Sequence, residues 1–563
     1  MPRLLATLFL SLCVLTGRTV AQPDPVPDLI LHHTHILTMA ETPASAEAVA
    51  IHDGKILALG RNAEILALRG PATEVRSLRD KAVLPGFFSG PTDLTRALAR
   101  AVMADCGPPP IGRVKSRVDV ITELTRKQVE LGSSPAEWLA GFGYWIPENP
   151  SELPLNAESL DLGFPDTPVY VLLAAEQGAV CNSQALSALG ITPETADPAG
   201  GRIGRRSATA DQWGVLWGTA WTQAARRIPA AAAREPATQL AALQRLCLAA
   251  GITTGWGGVV DLATYQKLAQ AERNGELLLD FIVFLDLREG ENLEAVLTEI
   301  RARDATSPLQ VAGVAVASEA FEPTLPSAET RISSPGLRKQ LQYRKTIPMA
   351  DAELGRLLNR TLSLELPVVI DCQSAEGLSV LLRTLQRLDD KSLLKGSLLR
   401  THLPLMAKDL ELVSRSGLVP AFDTDAVLFD PLVAQDQRSQ DEEVLGPLHQ
   451  LALSRNVEPA LFSRMSTTPR SAITLWHSAV NRLTLDDRVL TGSQRITPIQ
   501  ALRAMTVLPA GLSQRAERMG RILPGMQADL IVLDRNPYSI VPPRISRVQV
   551  LETYKSGQKL FPK

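Results

Sequence analysis

From about Val83 to about Gly511 the sequence alternates short apolar β runs with helical stretches, and this alternation narrows the available folds more than any other feature. Val169-Tyr170-Val171-Leu172-Leu173, Phe281-Ile282-Val283-Phe284-Leu285 and Leu366-Pro367-Val368-Val369-Ile370 are runs of the first kind. Ala237–Ala250, with Pro236 suited to a first helical turn, and Gly377–Leu388 are of the second. Strands that are apolar on both faces need cover on both sides, and parallel neighbours need a long crossover, which a helix supplies. Several hundred residues of this pattern predict a (β/α)8 TIM-type barrel with insertions rather than an open sheet.

The two chain ends read as β structure. Asp28-Leu29-Ile30-Leu31-His32, Ala48-Val49-Ala50-Ile51 and Lys55-Ile56-Leu57-Ala58-Leu59-Gly60 are strand-like, and Asp53-Gly54 predicts a tight hairpin because both residues tolerate positive φ. Ala528–Asp534 and Val548–Tyr554 repeat the pattern at the far end, followed by a Ser556-Gly557 turn. The polar stretch Gln435–Glu443 reads as a mobile loop.

Before the first strand, Arg3 leads into an apolar run, Leu4–Leu15, closed by small residues at Thr19 and Ala21. The run is too short for a bilayer, which takes about 20 apolar residues, and reads as a secretory signal peptide. No later stretch is long and apolar enough to be a membrane span. The expected location is therefore secreted or periplasmic. Once Cys13 leaves with the signal, Cys106, Cys181, Cys247 and Cys372 remain, open either to disulfide pairing or to buried thiols. With 58 basic and 60 acidic residues, the net charge of -2 gives no reason to expect nucleic acid as a partner. Gly-x-Ser-x-Gly, Walker and Gly-x-Gly-x-x-Gly patterns are absent in a usable context, so serine nucleophiles and nucleotide cofactors have no support.

Lys81-Ala82-Val83-Leu84-Pro85-Gly86-Phe87 and Ile522–Asp534 resemble the segments that bracket the barrel in the amidohydrolase superfamily. Asn182-Ser183-Gln184-Ala185-Leu186, Gly190-Ile191-Thr192, Gly200-Gly201-Arg202-Ile203, Gly251-Ile252-Thr253-Thr254 and Gln500–Thr506 are similar, in order, to amidohydrolase family 3, the branch of the N-substituted formamide deformylases. The resemblance implies a small β-sandwich formed from both chain ends. With the signal peptide read at 1–21, it divides the rest of the chain into sandwich parts at 22–84 and 515–563 and a barrel at 85–514. It also implies one or two divalent metals such as zinc, hydrolysing a C–N bond.

The ligands that the resemblance calls for are mostly replaced. Pro91 and Asp93 stand at the two histidine positions of the first strand, and Asp371 at that of the fifth. Arg400-Thr401-His402 keeps the sixth-strand histidine and loses the acid before it. Ala315 stands for the fourth-strand lysine, Arg464 for the eighth-strand aspartate, and Gln177 for a substrate-side histidine. Of seven histidines only His402, His449 and His477 fall in the barrel, whereas a catalytic zinc takes three protein ligands and an open position. His33-Thr34-His35 spells a chelating pair if it lies on one strand, but it falls in the N-terminal β region.

These replacements predict a non-catalytic binding or structural descendant without cofactor, taking a small molecule at the barrel mouth. Trp145 and Gln177 are its candidate binding residues; Trp138, Phe142 and Tyr144 are the other insert aromatics, read more readily as packing. The alternative is a hydrolase acting on C–N bonds through an altered site. It would use His402 as base with Asp371, or a hard cation held by Asp93, Asp371 and Asp425. Arg464 is expected to pair with Asp93 or Asp371 in the space of the metal.

Overall fold

The computed structural model describes residues 25–91, 93–109, 112–145, 154–173, 178–206, 212–229, 234–286, 306–323, 344–363, 365–388, 394–428, 446–463, 472–484 and 487–562. The signal segment, the Gln435–Glu443 loop, Gln177 and Arg464 lie outside them.

Eight strands form one parallel sheet: β1 (Phe87–Phe88), β2 (Ile252–Val260), β3 (Asp280–Asp286), β4 (Leu309–Ala317), β5 (Val368–Asp371), β6 (Ser397–Thr401), β7 (Leu418–Asp423) and β8 (Ala460–Phe462). Each pairs with its neighbours in chain order, and every pairing is parallel. One buried cluster draws on all eight, through Phe88, Trp256, Phe284, Ala315, Val369, Leu398, Ala421 and Phe462 among others. A flat sheet cannot bring its first and last strands into one core, so the sheet curls into a TIM-like barrel. Gly90 marks the meeting of its edges: at φ +74, a Cβ there would stand 2.7 Å from the Leu461 carbonyl oxygen of β8.

Helices cover the outside. Leu94–Ala101, Pro236–Ala249, Leu262–Arg273 and Ala472–Asn481 pack over the β1–β3 side, and Asp351–Leu362, Ala375–Arg387 and Ala407–Arg415 over β4–β7. Pro236 opens its helix in the first turn, where its missing N–H costs nothing.

Between β1 and β2 the chain builds a separate six-stranded mixed sheet from Ala104–Asp105, Leu139–Tyr144, Val169–Leu173, Gly178–Cys181, Gly201–Ile203 and Val215–Gly218. The apolar run Val169–Leu173, grouped by sequence with the barrel strands, belongs to this insertion. Periodicity cannot distinguish the two, because either sheet buries such a strand.

The chain ends supply the remaining two main sheets. Leu29–His32, Ala48–His52, Lys55–Gly60 and Glu74–Ser77 form one; His35–Leu37, Ser45–Ala46, Ala82–Pro85, Leu530–Leu533, Val550–Lys555 and Gln558–Phe561 form the other. Asp53 (φ 48) and Gly54 (φ 70) make the expected hairpin turn, as do Ser556 (φ 46) and Gly557 (φ 75). Leu31, Val49 and Ile51 of the first sheet share a buried cluster with Val83, Leu530 and Val532 of the second.

A buried ion network ties the second sheet to the N-terminal end of the barrel. Lys555 Nζ lies 3.0 Å from Asp280 Oδ2 and 2.6 Å from Asp529 Oδ2, and Arg515 Nη1 lies 3.3 Å from Asp280 Oδ2. The four described cysteines are all buried free thiols, which settles the choice left open between thiols and disulfides. Burial pushes the Cys181 and Cys247 thiols up to about 12, so neither is a reactive thiolate. Among the described residues no helix is long and apolar enough to cross a membrane.

Candidate functional site

The C-terminal strand ends form the mouth where such barrels carry their chemistry. Asp371 closes β5, and the parallel register sets it directly beside Arg400 of β6. Neighbouring side chains in that register share a face, so the two meet across the strand boundary. Arg400 Nε donates to Asp371 Oδ1 at 3.2 Å and Nη2 donates to Oδ2 at 2.8 Å, a two-pronged pair. Its third nitrogen, Nη1, donates to the Pro91 carbonyl at 3.4 Å, and its guanidinium carbon lies 5.9 Å from the Phe462 ring centre. Only 11% of the Arg400 side chain and 19% of that of Asp371 is exposed. Burial works against the Arg400 charge, but Asp371, then Asp93 and Asp423, outweigh it and hold the pKa above the ordinary arginine value. The guanidinium is a permanent cation at the mouth.

Gln373 extends the pair. Its side-chain Nε2 donates to Asp371 Oδ1, and its Oε1 lies 2.8 Å from His402 Nδ1. A carboxylate only accepts, so the amide nitrogen must face Asp371; His402 Nδ1–H then donates to the amide oxygen. His402 and Asp371, both candidates from sequence, are therefore joined through an amide.

Asp93 is occupied differently. Its Oδ1 accepts from the Arg96 backbone N–H at 2.9 Å, capping helix Leu94–Ala101, and Oδ2 lies 3.4 Å from Arg96 Nε. The residue that sequence offered as a hard-cation ligand is a helix cap. Pro91 contributes only its carbonyl. Asp423 and Asp425 are buried at the end of β7 and just beyond it, and Ala315 lies in the barrel core.

The other two barrel histidines serve elsewhere. His477 is half-buried on an outer helix, and burial lowers its pKa. His449 is fully buried; its Nε2 lies 3.1 Å from Thr424 Oγ1, and Arg482 Nη1 donates to Nδ1 at 3.4 Å. Burial first, then the Arg482 charge, drop its pKa to about 3. A depressed folded value means that the unfolded chain takes up the proton first. The imidazole's contribution is thus complete above about pH 6.5 and lost as pH falls below it. His449→Gln should remove this dependence, so the stability gap between wild type and variant should shrink by about 2 kcal/mol from pH 7 to pH 5. Denaturant titrations at both pH values would measure it; a constant gap would contradict the assignment.

The N-terminal His-x-His pattern does not form a strand pair. His33 has φ +52 and breaks the chain between strands ending at His32 and starting at His35. The nearest ring contact is instead His32 with His33, at 4.6 Å between centroids. Among the insert aromatics, Phe142 and Tyr144 are buried packing residues, Trp138 lies 6.3 Å from Tyr170, and Trp145 is half-buried after the strand Leu139–Tyr144. Arg464 and Gln177 lie outside the described residues. Sequence reasoning noted Arg400 only as part of the segment that lost its acid and gave it no role, and it passed over Gln373 and Asp423. The available signal was opposite charges near the C-terminal ends of two consecutive parallel strands, Asp371 and Arg400.

Residues 74–561 match the sequence profile of the Amidohydrolase family, in its family 3 branch. The chain belongs to this family. It is 23% identical to an N-substituted formamide deformylase of Arthrobacter pascens over 94% of its own length and 97% of the relative. It is also 23% identical to the putative amidohydrolase YtcJ of Bacillus subtilis (strain 168), over 95% of the chain and 99% of the relative. In fold it is similar to an uncharacterized metal-dependent hydrolase from Pyrococcus horikoshii OT3, with TM-score 0.63, 20% identity, and 92% of this chain and 99% of that one covered.

The family implies a divalent metal, and the donors at this mouth do not fit one. Pro91 has no side-chain donor, Asp93 caps a helix, Asp371 is paired with Arg400, and His402 turns Nδ1 to Gln373. Among the described residues no group of three or more His, Cys, Asp or Glu side chains could hold a metal ion.

Proposed function

We propose that this amidohydrolase-family protein is an exported, non-catalytic descendant that uses the barrel mouth to bind a small molecule or serves a structural role. The observation that carries the reading is the buried Arg400–Asp371 pair across β5 and β6, a fixed cation beside the residues that stand at family ligand positions. A metal's service in such hydrolases is to lower the pKa of bound water to about 7, and among the described residues these donors leave no set of side chains for that task. Export is supported by Arg3, the apolar run Leu4–Leu15 and the small residues at Thr19 and Ala21. The two end sheets, which share one core, are read as the family's small β-sandwich, with domain limits near 84 and 515.

The second reading is a C–N hydrolase with an altered site, favoured by the chain His402–Gln373–Asp371 at the mouth. Elemental analysis of the purified mature protein should find less than about a tenth of an equivalent of metal, with no shift of Tm in chelator. N-substituted formamides should be hydrolysed no faster than in buffer. Near one equivalent of metal with destabilisation by chelator, or turnover abolished by His402→Ala, would establish the enzyme reading instead.

A further inference from the structure

We infer that the outward face of helix Arg117–Leu131, which packs on the inserted sheet, pairs with the same helix of a second copy of this chain, antiparallel and about a twofold axis. The helix turns Val120 and Leu124 into the core of the inserted sheet. The opposite face of a surface helix is ordinarily charged. Here it carries Val118, Thr122, Thr125 and Val129, all exposed and spaced by four, three and four residues, the spacing of a seam between two helices. Val118 is 66% exposed and Val129 76%; with Leu162 at 85% they are the three most exposed large apolar side chains among the described residues. Leu162 stands on the neighbouring helix Ala157–Gly163, and a groove of about 640 Å3 between the two helices is lined by Val118, Ile121, Thr125 and Leu162. Apolar surface gathered in this way marks an interaction site.

Covering this face strands no hydroxyl on it. Thr122 Oγ1 donates to the Val118 carbonyl at 3.1 Å and Thr125 Oγ1 to the Ile121 carbonyl at 2.9 Å, so both are bonded within the helix. The pattern is also complementary to itself. With two copies antiparallel, Val118 falls opposite Val129 and Thr122 opposite Thr125, each twice by symmetry. On one flank of the seam Asp119 then comes beside Arg126 of the second copy, again twice. The Lys115 and Ser116 N–H groups, each at 2.9 Å from Oδ2, hold the Asp119 charge in place. Arg126 is half-exposed and already meets Glu123 and Glu130 of its own helix, so this rim pair sets orientation more than affinity. A parallel pair would instead set Arg126 beside Ile121 and align the two helix dipoles.

The experiment is analytical ultracentrifugation of the purified mature protein. One helix pair is a small interface, so the protein should be mostly monomer at about 1 μM and mostly dimer at about 100 μM. Val118→Asp, Val129→Asp and Leu162→Asp should each weaken association by about tenfold or more, because each change counts twice in the dimer. All three should melt within about 2 °C of the wild-type monomer, since the side chains replaced are exposed. Disulfide trapping reads the orientation, and the four described native cysteines are buried and should not interfere. A mixture of Val118→Cys and Val129→Cys proteins should cross-link under mild oxidant, whereas either protein alone should not. A chain that stays monomeric at about 100 μM, leaving the face to some other molecule, overturns the inference. A dimer that Val118→Asp and Leu162→Asp leave intact overturns it as well, and so does cross-linking of either cysteine variant alone as fast as the mixture.

Discussion

Lys555→Met should destabilise the protein by roughly 3–5 kcal/mol, the cost of removing one partner from a buried ion cluster. Methionine keeps most of the stem's packing and deletes the charge, so the loss isolates the ammonium. Two carboxylates meet at that ammonium, Asp280 at 3.0 Å and Asp529 at 2.6 Å, and all three side chains are nearly buried. Arg515 still reaches Asp280 in the variant, whereas Asp529 keeps the Ser556 backbone N–H. Burial by itself would lower the Lys555 pKa, but Asp529 and Asp280 outweigh it and raise the value. A raised value means the contribution is complete below the unfolded-chain pKa of about 10.4 and is lost only as pH rises through the higher folded value. Denaturant unfolding at pH 7 therefore reads the full effect. A loss below about 1 kcal/mol, as at an exposed pair, would mean that water reaches the cluster.

Asn182→Ala should cost on the order of 3 kcal/mol, through a lost helix cap and newly unpaired backbone groups. The Asn182 amide is fully buried and uses both ends twice. Its oxygen accepts from the Val169 and Ala185 N–H groups, each at 2.9 Å, and its nitrogen donates to the Phe164 and Thr167 carbonyls at 3.0 and 2.8 Å. One side chain thereby fixes the start of helix Ser183–Ala188 and the start of strand Val169–Leu173 together. Asn182→Asp keeps the cap acceptor but turns a carboxylate oxygen toward two carbonyls, so it should rescue little. Thermal melts of both variants test this; recovery in Asn182→Asp would show that the cap alone matters.

Asn182 also shows how much of the molecule was legible beforehand. It stood out in sequence as part of an ordered family pattern, and the structure gives the pattern a physical cause in four hydrogen bonds. The Asp53-Gly54 and Ser556-Gly557 turns were legible because positive φ is a property of the residues that occupy them. The sequence reading of the site was less complete. Asp371, Pro91 and His402 were singled out and do meet at the mouth, and a guanidinium against Asp93 or Asp371 was expected. The guanidinium that the structure places there is that of Arg400, and the expected Arg464 lies outside the described residues.

What the sequence by itself determined is local: where apolar runs form strands, where proline or a capping residue starts a helix, which dipeptides turn the chain, and which ligand-type residues are missing. Such properties depend on a residue and its near neighbours, so they survive without a fold. Only the tertiary structure decided that Val169–Leu173 joins the inserted sheet, that Arg400 meets Asp371 from 29 residues away, and that Lys555 meets Asp280 from 275 away. A charge has no preferred partner until strand register and burial set its distance and its dielectric surroundings, and both are properties of the packed chain.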